Sequence, residues 1–88
     1  MTNTAIVVTG DTWVTVMVPD FNPAPLRRAL LAAASTHPLG SISDLSGDKS
    51  GGLSGSAELY TKCTVDTAAE LAADSLQEDG YKVSLLMI

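Results

Sequence analysis

The feature that most constrains this chain of 88 residues is the run T-W-V-T-V-M-V at residues 12–18. Valine occupies every second position, so Trp13, Thr15 and Met17 fall on the opposite side of an extended backbone. β-Branched residues at a period of two are typical of a strand with one buried face. Pro19 follows at once and ends the run, because proline cannot donate to a hydrogen-bonded ladder. The sequence therefore predicts a strand whose valines all lie on one face.

Two segments have the apolar spacing of amphipathic helices. Asn22 can cap a first helix over residues 25–36, which Pro38 then stops. A second helix is predicted to begin at Asp66, or one residue later at a T-A-A-E capping box, and to close at residues 79–80. The predicted buried stripes are Leu26, Ala29, Leu30 and Ala33 in the first helix and Ala68, Leu71, Ala72 and Leu76 in the second.

Three further segments are predicted as strands. Residues 41–45 form a short one, and residues 81–88 form the last one. In residues 57–65 apolar and polar positions alternate, which turns Cys63 inward and Tyr60 outward. From residue 12 onward, the predicted order is strand, helix, strand, strand, helix, strand.

The glycine- and serine-rich residues 46–56 lie between two of these strands. A phosphate-binding P-loop needs a lysine that follows a glycine at the start of a helix. Here Lys49 follows Asp48, whose carboxylate would meet an approaching phosphate, and a strand comes next. We therefore predict a flexible connection that is able to order on a partner.

This order of elements resembles the βαββαβ arrangement of ferredoxin-like domains over residues 12–88. The resemblance implies an α+β fold, a two-layer α/β sandwich in which both helices pack on one face of the sheet. The length fits a single domain, residues 1–88. The β-prone residues 4–8 leave two alternatives. One is a long strand over residues 4–18 that bends at Gly10, and the other is a segment that folds back and alters the strand order.

The stretch V-M-V-P-D-F-N-P-A-P-L at residues 16–26 is similar to the junction between the first strand and first helix of ACT-type regulatory domains. The resemblance implies a small-ligand site in which Asp20 and Leu26 match the family, with Asn22 between them. The glycine of that junction has no counterpart here. In its size and its bias toward Ala, Thr, Val and Asp, the chain also resembles accessory proteins of actinobacteria and their phages.

Charge and composition argue against several classes of function. A net charge of −5 with five basic residues disfavours nucleic acid and anionic membranes as direct partners. The single cysteine excludes an internal disulfide, and with the single histidine, His37, it cannot supply a tetrahedral metal site. The sequence contains no apolar run typical of a signal peptide or a membrane span. We therefore expect a soluble cytoplasmic protein, in the host cytoplasm if viral, that is not an enzyme and has no catalytic residue, cofactor or metal.

If the valines of residues 12–18 face the helices, the opposite face of the sheet is bare. Apolar side chains on such a face are typical of an interface. The interface candidates are Trp13, Thr15, Met17, Tyr60, Leu86 and Ile88. We therefore expect a protein-binding module that forms a homodimer through this face or binds another protein there.

The second helix carries an acidic stripe at Glu70, Asp74 and Glu78, spaced i, i+4 and i+8. The stripe is either an ordinary solvated face or a docking surface. As a docking surface it would make the chain an inhibitor of a basic or nucleic-acid-binding partner. A regulatory domain that binds a small ligand near Asp20 is the other alternative to self-association.

Overall fold

A computed structural model describes residues 3–43, 45–47 and 52–88 of the chain. These residues hold two α-helices, one 3₁₀ turn and a sheet of six strands. In chain order the elements are β1 Thr4–Thr9, β2 Trp13–Val18, α1 Pro23–Ala34, β3 Ser41–Ile42, β4 Ser46–Gly47, β5 Leu53–Glu58, the 3₁₀ turn Lys62–Thr64, α2 Val65–Glu78 and β6 Lys82–Met87.

The first two strands form an antiparallel hairpin. At its turn the N–H of Gly10 donates to the carbonyl of Trp13 at 2.9 Å. The chain therefore folds back at this point. The alternative of one bent strand over residues 4–18 is wrong, and the alternative of a folded-back segment is confirmed.

The strand order of the sheet is β3-β5-β2-β1-β6, and β4 also pairs with β5. The β1–β6 pair is parallel, and every other pair is antiparallel. β1 thus lies between β2 and β6, two strands that pair directly in a ferredoxin-like sheet. The folded-back segment has altered the strand order, as the second alternative predicts.

The core lies between one face of the sheet and both helices. Val14 and Val16 of β2 are fully buried there, as is Val7 of β1. The predicted stripe of α1 is confirmed, because all four of its members, Leu26, Ala29, Leu30 and Ala33, are fully buried. The fold is a small mixed α+β structure with two helices on one side of an open sheet, consistent with a two-layer sandwich.

The first helix begins and ends two residues before its predicted range, 25–36. At its start Asn22 acts as the N-cap, as predicted, and its Oδ1 accepts the N–H of Ala24 at 3.2 Å. The helix includes Pro23 because proline lacks a backbone N–H, and the N–H groups of the first helical turn have no carbonyl partner within the helix. At its end the hydroxyl of Thr36 donates to the carbonyl of Ala33 at 2.8 Å. This bond competes for a carbonyl that a further helical turn would need.

The second helix begins directly after the 3₁₀ turn, one residue before Asp66, and makes no side-chain capping bond at Thr64. Its end agrees with the prediction. Gly80 adopts a left-handed φ of 94°, and the N–H of Tyr81 donates to the carbonyl of Leu76 at 3.0 Å. This is a Schellman motif, which glycine favours because it has no Cβ to clash in that conformation.

The buried stripe of α2 differs from the prediction at one position. Leu71 is 39% exposed, whereas Ala69 is buried. The other three predicted residues, Ala68, Ala72 and Leu76, are fully buried. The buried face is thus lined mostly by alanine, which lets the helix approach the sheet closely.

The strand predicted over residues 57–65 is wrong. The strand lies earlier, in the glycine- and serine-rich segment, where β5 pairs with β2 along its whole length. Tyr60 then adopts a left-handed φ of 67°, which ends the extended backbone. Cys63, predicted to point inward, is exposed in the 3₁₀ turn that follows.

The flexible connection predicted over residues 46–56 is wrong where the structure describes it, since residues 46–47 form β4 and residues 53–56 lie in β5. Residues 48–51, including Lys49, lie outside the described residues.

The close approach of α1 explains why a glycine lies in the middle of β5. A methyl group on Gly55 would lie 2.7 Å from Cδ1 of Leu30 and 2.7 Å from Cδ2 of Leu45. These side chains fill the space above the backbone, so a Cβ at this position would force the ends of both leucines to shift.

The edge of the sheet beside β5 is built from two short strands rather than the one predicted over residues 41–45. Ile42 lies opposite Ala57, and Ser46 lies opposite Ser54. The edge therefore has one residue more than β5 over this interval, as in a β-bulge. Asp44, which the prediction assigned to the strand, lies outside the described residues. Among the described residues neither helix has the length and apolar character needed to cross a membrane.

We expect Gly55→Ala to lower the free energy of unfolding by about 1–3 kcal/mol, because the added methyl group overpacks a filled core. Ser54→Ala is the matched control, since Ser54 is the neighbouring residue on the other side of the sheet. Its effect should stay within about 0.5 kcal/mol. Urea denaturation at one chain concentration measures both values. A Gly55→Ala chain as stable as the original would show that α1 does not press on β5.

Candidate functional site

The sheet face opposite the helices, here called the open face, carries the side chains that alternate with the buried ones. Its members follow from the strand registers: Thr4, Ile6 and Val8 of β1; Trp13, Thr15 and Met17 of β2; Ser54, Ser56 and Glu58 of β5; and Lys82, Ser84 and Leu86 of β6. Both helices pack on the other side of the sheet, so neither helix covers this face.

The apolar members of the open face are neighbours. Ile6 lies beside Met17, and Val8 lies beside Leu86. The indole of Trp13 lies over Gly10, where a methyl group would overlap the ring. Trp13, Met17, Ile6 and Val8 are partly buried, whereas Leu86 is 52% exposed. The result is a continuous apolar strip across β2, β1 and β6.

Two residues of this strip, Ile6 and Val8, are absent from the interface candidates predicted from sequence. Their segment is β-prone, but its sequence does not show where it pairs. Only the hairpin with β2 and the parallel pairing with β6 place the two residues on the open face. The signal that could have placed them is the dipeptide Gly10-Asp11, which is typical of a two-residue hairpin turn.

The rest of the open face is polar and nearly uncharged. Thr15 Oγ1 and Ser56 Oγ share a hydrogen bond of 2.7 Å. The charged members are Glu58, opposite Trp13 at the end of β5, and Lys82, opposite Thr4 at the start of β6. The two charges therefore lie at opposite corners of the face, with the apolar strip between them.

The structure brings together four of the six interface candidates, Trp13, Thr15, Met17 and Leu86, on the open face. Tyr60 is not on a strand. Its side chain is 57% exposed beyond the end of β5, with its hydroxyl 3.1 Å from Ser41 Oγ. Ile88 follows β6 and remains attached to the sheet through its N–H, which donates to the carbonyl of Thr9 at 3.0 Å.

The acidic stripe, Glu70, Asp74 and Glu78, is exposed along α2. The single histidine lies in the turn after α1, where Nδ1 of His37 accepts the N–H of Leu39 at 3.1 Å. In the part of the chain that the structure describes, no three His, Cys, Asp or Glu side chains lie close enough together to hold a metal ion.

The three residues of the ACT-like junction all make contacts within the chain. The carboxylate of Asp20 accepts the N–H of Asn22 at 3.1 Å through Oδ1 and the hydroxyl of Tyr81 at 2.6 Å through Oδ2. Asn22 in turn caps α1. Leu26 is fully buried in the core. In this conformation the junction is a structural connection.

Tyr81 holds the end of α2 against the start of α1. Its ring is 8% exposed. Burial, the hydrogen bond to Asp20 and the negative charges of Asp20 and Asp79, in that order of importance, together raise the pKa of the Tyr81 hydroxyl to about 12. Nearby, the guanidinium of Arg28 donates to both carboxylate oxygens of Asp79 at 3.0 and 3.1 Å. The sequence did not predict this cluster of Asp20, Arg28, Asp79 and Tyr81, because no local pattern indicates that these residues are neighbours.

Comparisons with family models, with curated proteins and with solved structures find no match for this chain.

We expect the Tyr81 hydroxyl to ionise near pH 12 in the native protein, rather than near the ordinary value of 10.0. The native-state pKa is the higher one, so the stability from this hydroxyl is complete below pH 10 and is lost as the pH rises toward 12. The test is an ultraviolet phenolate titration in a Tyr60→Phe background, which leaves Tyr81 as the only tyrosine.

Tyr81→Phe should abolish this titration and lower the free energy of unfolding by about 1–2 kcal/mol at neutral pH, because Asp20 loses a hydrogen-bond donor. Tyr60→Phe should change the free energy of unfolding little. A native midpoint near pH 10 would contradict the Tyr81–Asp20 bond.

Proposed function

We propose that this chain is a non-enzymatic protein-interaction module that self-associates through its open face. The observation that carries the proposal is the continuous apolar strip of Ile6, Val8, Trp13, Met17 and Leu86 on a face that neither helix covers. Removing apolar surface from water contributes about 25 cal/mol per Å². A contact of about 800 Å² per partner is of standard size for a stable complex.

A second copy of the chain suits this face because the face is complementary to itself. Lys82 and Glu58 lie at opposite corners, on either side of the apolar strip. A two-fold axis through the strip would bring Lys82 of each copy toward Glu58 of the other while the apolar side chains meet in the centre. The serine and threonine side chains would form the polar rim that such contacts have.

A cytoplasmic setting suits the proposal, in a host cell if the source is viral. Cys63 is exposed, and a reducing compartment keeps such a thiol from linking chains covalently. Association then depends on the sheet alone.

The exposed stripe of Glu70, Asp74 and Glu78 supports a second candidate, an inhibitor that binds a basic partner through α2. The two functions differ in their response to salt. Binding through the stripe weakens as salt screens the opposite charges, whereas apolar association of copies that each carry a net charge of −5 does not need low salt.

We expect the chain to sediment at a mass above that of the monomer at micromolar concentration, and Met17→Glu to lower that mass. The reason is that a carboxylate in the centre of the strip would be buried without a partner. The dissociation constant of the face contact should rise by at least about tenfold, equivalent to about 1.4 kcal/mol.

Leu39→Glu is the matched control for this prediction. Leu39 is 71% exposed in the turn after α1, away from the open face, so its change should leave the mass unaltered. A wild-type chain that is monomeric, or equal masses for the Met17→Glu and Leu39→Glu chains, would remove the proposal.

The orientation of the two copies has its own test. Lys82→Glu and Glu58→Lys should each weaken association about two- to tenfold, because each places like charges together at both ends of the contact. The double variant restores opposite charges and should recover most of the affinity. Additive losses in a sedimentation titration would rule out this pairing of corners.

A further inference from the structure

The outer edge of β6 is free of any strand among the described residues, because β6 ends the strand order. The direction of its peptide groups follows from two bonds to the β1 side. The N–H of Lys82 donates to the carbonyl of Asn3 at 2.8 Å, and that of Ile88 donates to the carbonyl of Thr9 at 3.0 Å. Peptide groups alternate in direction along a strand, so those of every second residue point away from β1. The outward-pointing groups belong to Val83, Leu85 and Met87.

This edge lacks the devices that usually keep strands from pairing. It contains no proline, and its one charge, Lys82, lies at its first residue. Two of the side chains next to the free peptide groups are apolar and exposed, Leu85 at 56% and Met87 at 84%. A free, regular and apolar edge is a template for another strand.

The same edge is bordered on the helix side by a groove of about 360 Å³. Asp66, Ala69 and Glu70 of α2 line one wall, and residues 85–87 of β6 line the other. The register with β1 places Leu85 and Met87 on the helix side of the sheet. If a strand were added to β6, those of its side chains that point to the helix side of the sheet would therefore lie along this groove.

We propose that a second copy of the chain pairs with β6 in antiparallel orientation about a two-fold axis at Leu85. Leu85 then lies opposite Leu85 of the second copy, and Val83 lies opposite Met87 of the second copy. These are the residues whose peptide groups point outward, so each opposed pair exchanges two backbone hydrogen bonds. With the axis at Leu85, each residue whose peptide group points away from β1 lies opposite another such residue. The two sheets then become one continuous sheet.

The two-fold axis closes the contact after two copies and leaves no free β6 edge. It keeps both helical layers on one side, and the exposed side chains of Leu85 and Met87 are covered by those of the second copy at the grooves. In this register the exposed Leu85 and Met87 of each copy lie beside the apolar Leu85 and Val83 of the other, which is why we assign the edge to a second copy.

This contact is separate from the one on the open face. Leu85 and Met87 lie on the helix side of the sheet, whereas Met17 and Trp13 lie on the open side. Either contact can form without the other. An experiment that contradicts one of the two proposals therefore leaves the other in place.

Cysteine cross-linking tests the edge pairing directly. In a Cys63→Ser background, which removes the single native thiol, Leu85→Cys should give a disulfide-linked dimer under mild oxidation. Opposed residues of a hydrogen-bonded antiparallel pair have Cα atoms about 5.5 Å apart, within the range of a disulfide. Ser84→Cys, one residue away and pointing to the other side, is the matched control and should link at least about tenfold less.

Both cysteine variants should also be made with Met17→Glu, which disrupts the open face. Preferential linking of the Leu85→Cys chain that persists with Met17→Glu supports the edge pairing, whatever becomes of the proposed function. Linking of the Leu85→Cys chain no greater than that of the Ser84→Cys chain overturns it.

A measurement on the unaltered protein removes any dependence on the folding of variants. In the assembled state the amide protons of Val83, Leu85 and Met87 should exchange as slowly as those of Ser84 and Leu86, which bond to β1. Rapid exchange of the three outward amides, with slow exchange of the other two, at a concentration where the chain is fully assembled would overturn the edge pairing.

Discussion

Burial of the β2 valines beneath the two helices determines most of this structure. β2 is hydrogen-bonded on both sides, to β1 and to β5, and Val14 and Val16 are fully buried. Because side chains alternate along a strand, this burial turns Trp13 and Met17 to the other side of the sheet. The helices contribute small side chains such as those of Ala29 and Ala72 to the same core. The apolar open face is thus a consequence of the way the core is packed.

The sequence predicted best those elements whose pattern is local. The strand at β2 needs only its alternation, the stripe of α1 needs only its 3.6-residue period, and the end of α2 needs only Asp79-Gly80. The failure at β5 has a tertiary cause. Residues 57–65 have the better strand composition. However, β5 pairs with β2 instead, and in β5 the absence of a side chain at Gly55 leaves space for the side chains of Leu30 and Leu45. Such a demand comes from a helix far away in sequence, so propensity does not reveal it.

The candidate site divides in the same way. Trp13, Thr15 and Met17 could be assigned to one face because β2 alone decides their side. Ile6 and Val8 could not, since their side follows from strand order, and strand order rests on a parallel pairing between the two ends of the described chain. Tyr60 was misplaced with the strand that was assigned to it. The bond between Tyr81 and Asp20 joins two loops and has no signature in either.

The two contacts that we propose between copies of the chain both belong to the sheet. The open face offers apolar area with little directional preference, whereas the β6 edge pairs only in registers that set outward-pointing residues opposite one another. An axis in the plane of the sheet and an axis normal to it would be perpendicular to each other. Used together, they would generate a closed assembly of four chains if the two axes intersect, and an open array of copies if they do not.

The position of β1 has a consequence for the way the chain acquires its structure. β1 is synthesised before its parallel neighbour β6, and most of the described chain lies between the two strands. Until β6 emerges, one side of β1 stays unpaired on a nascent hairpin, and closing so long a loop carries an entropic cost that slows the final step. A ribosome-bound chain would therefore expose an apolar strand to its neighbours and to chaperones until β6 is synthesised.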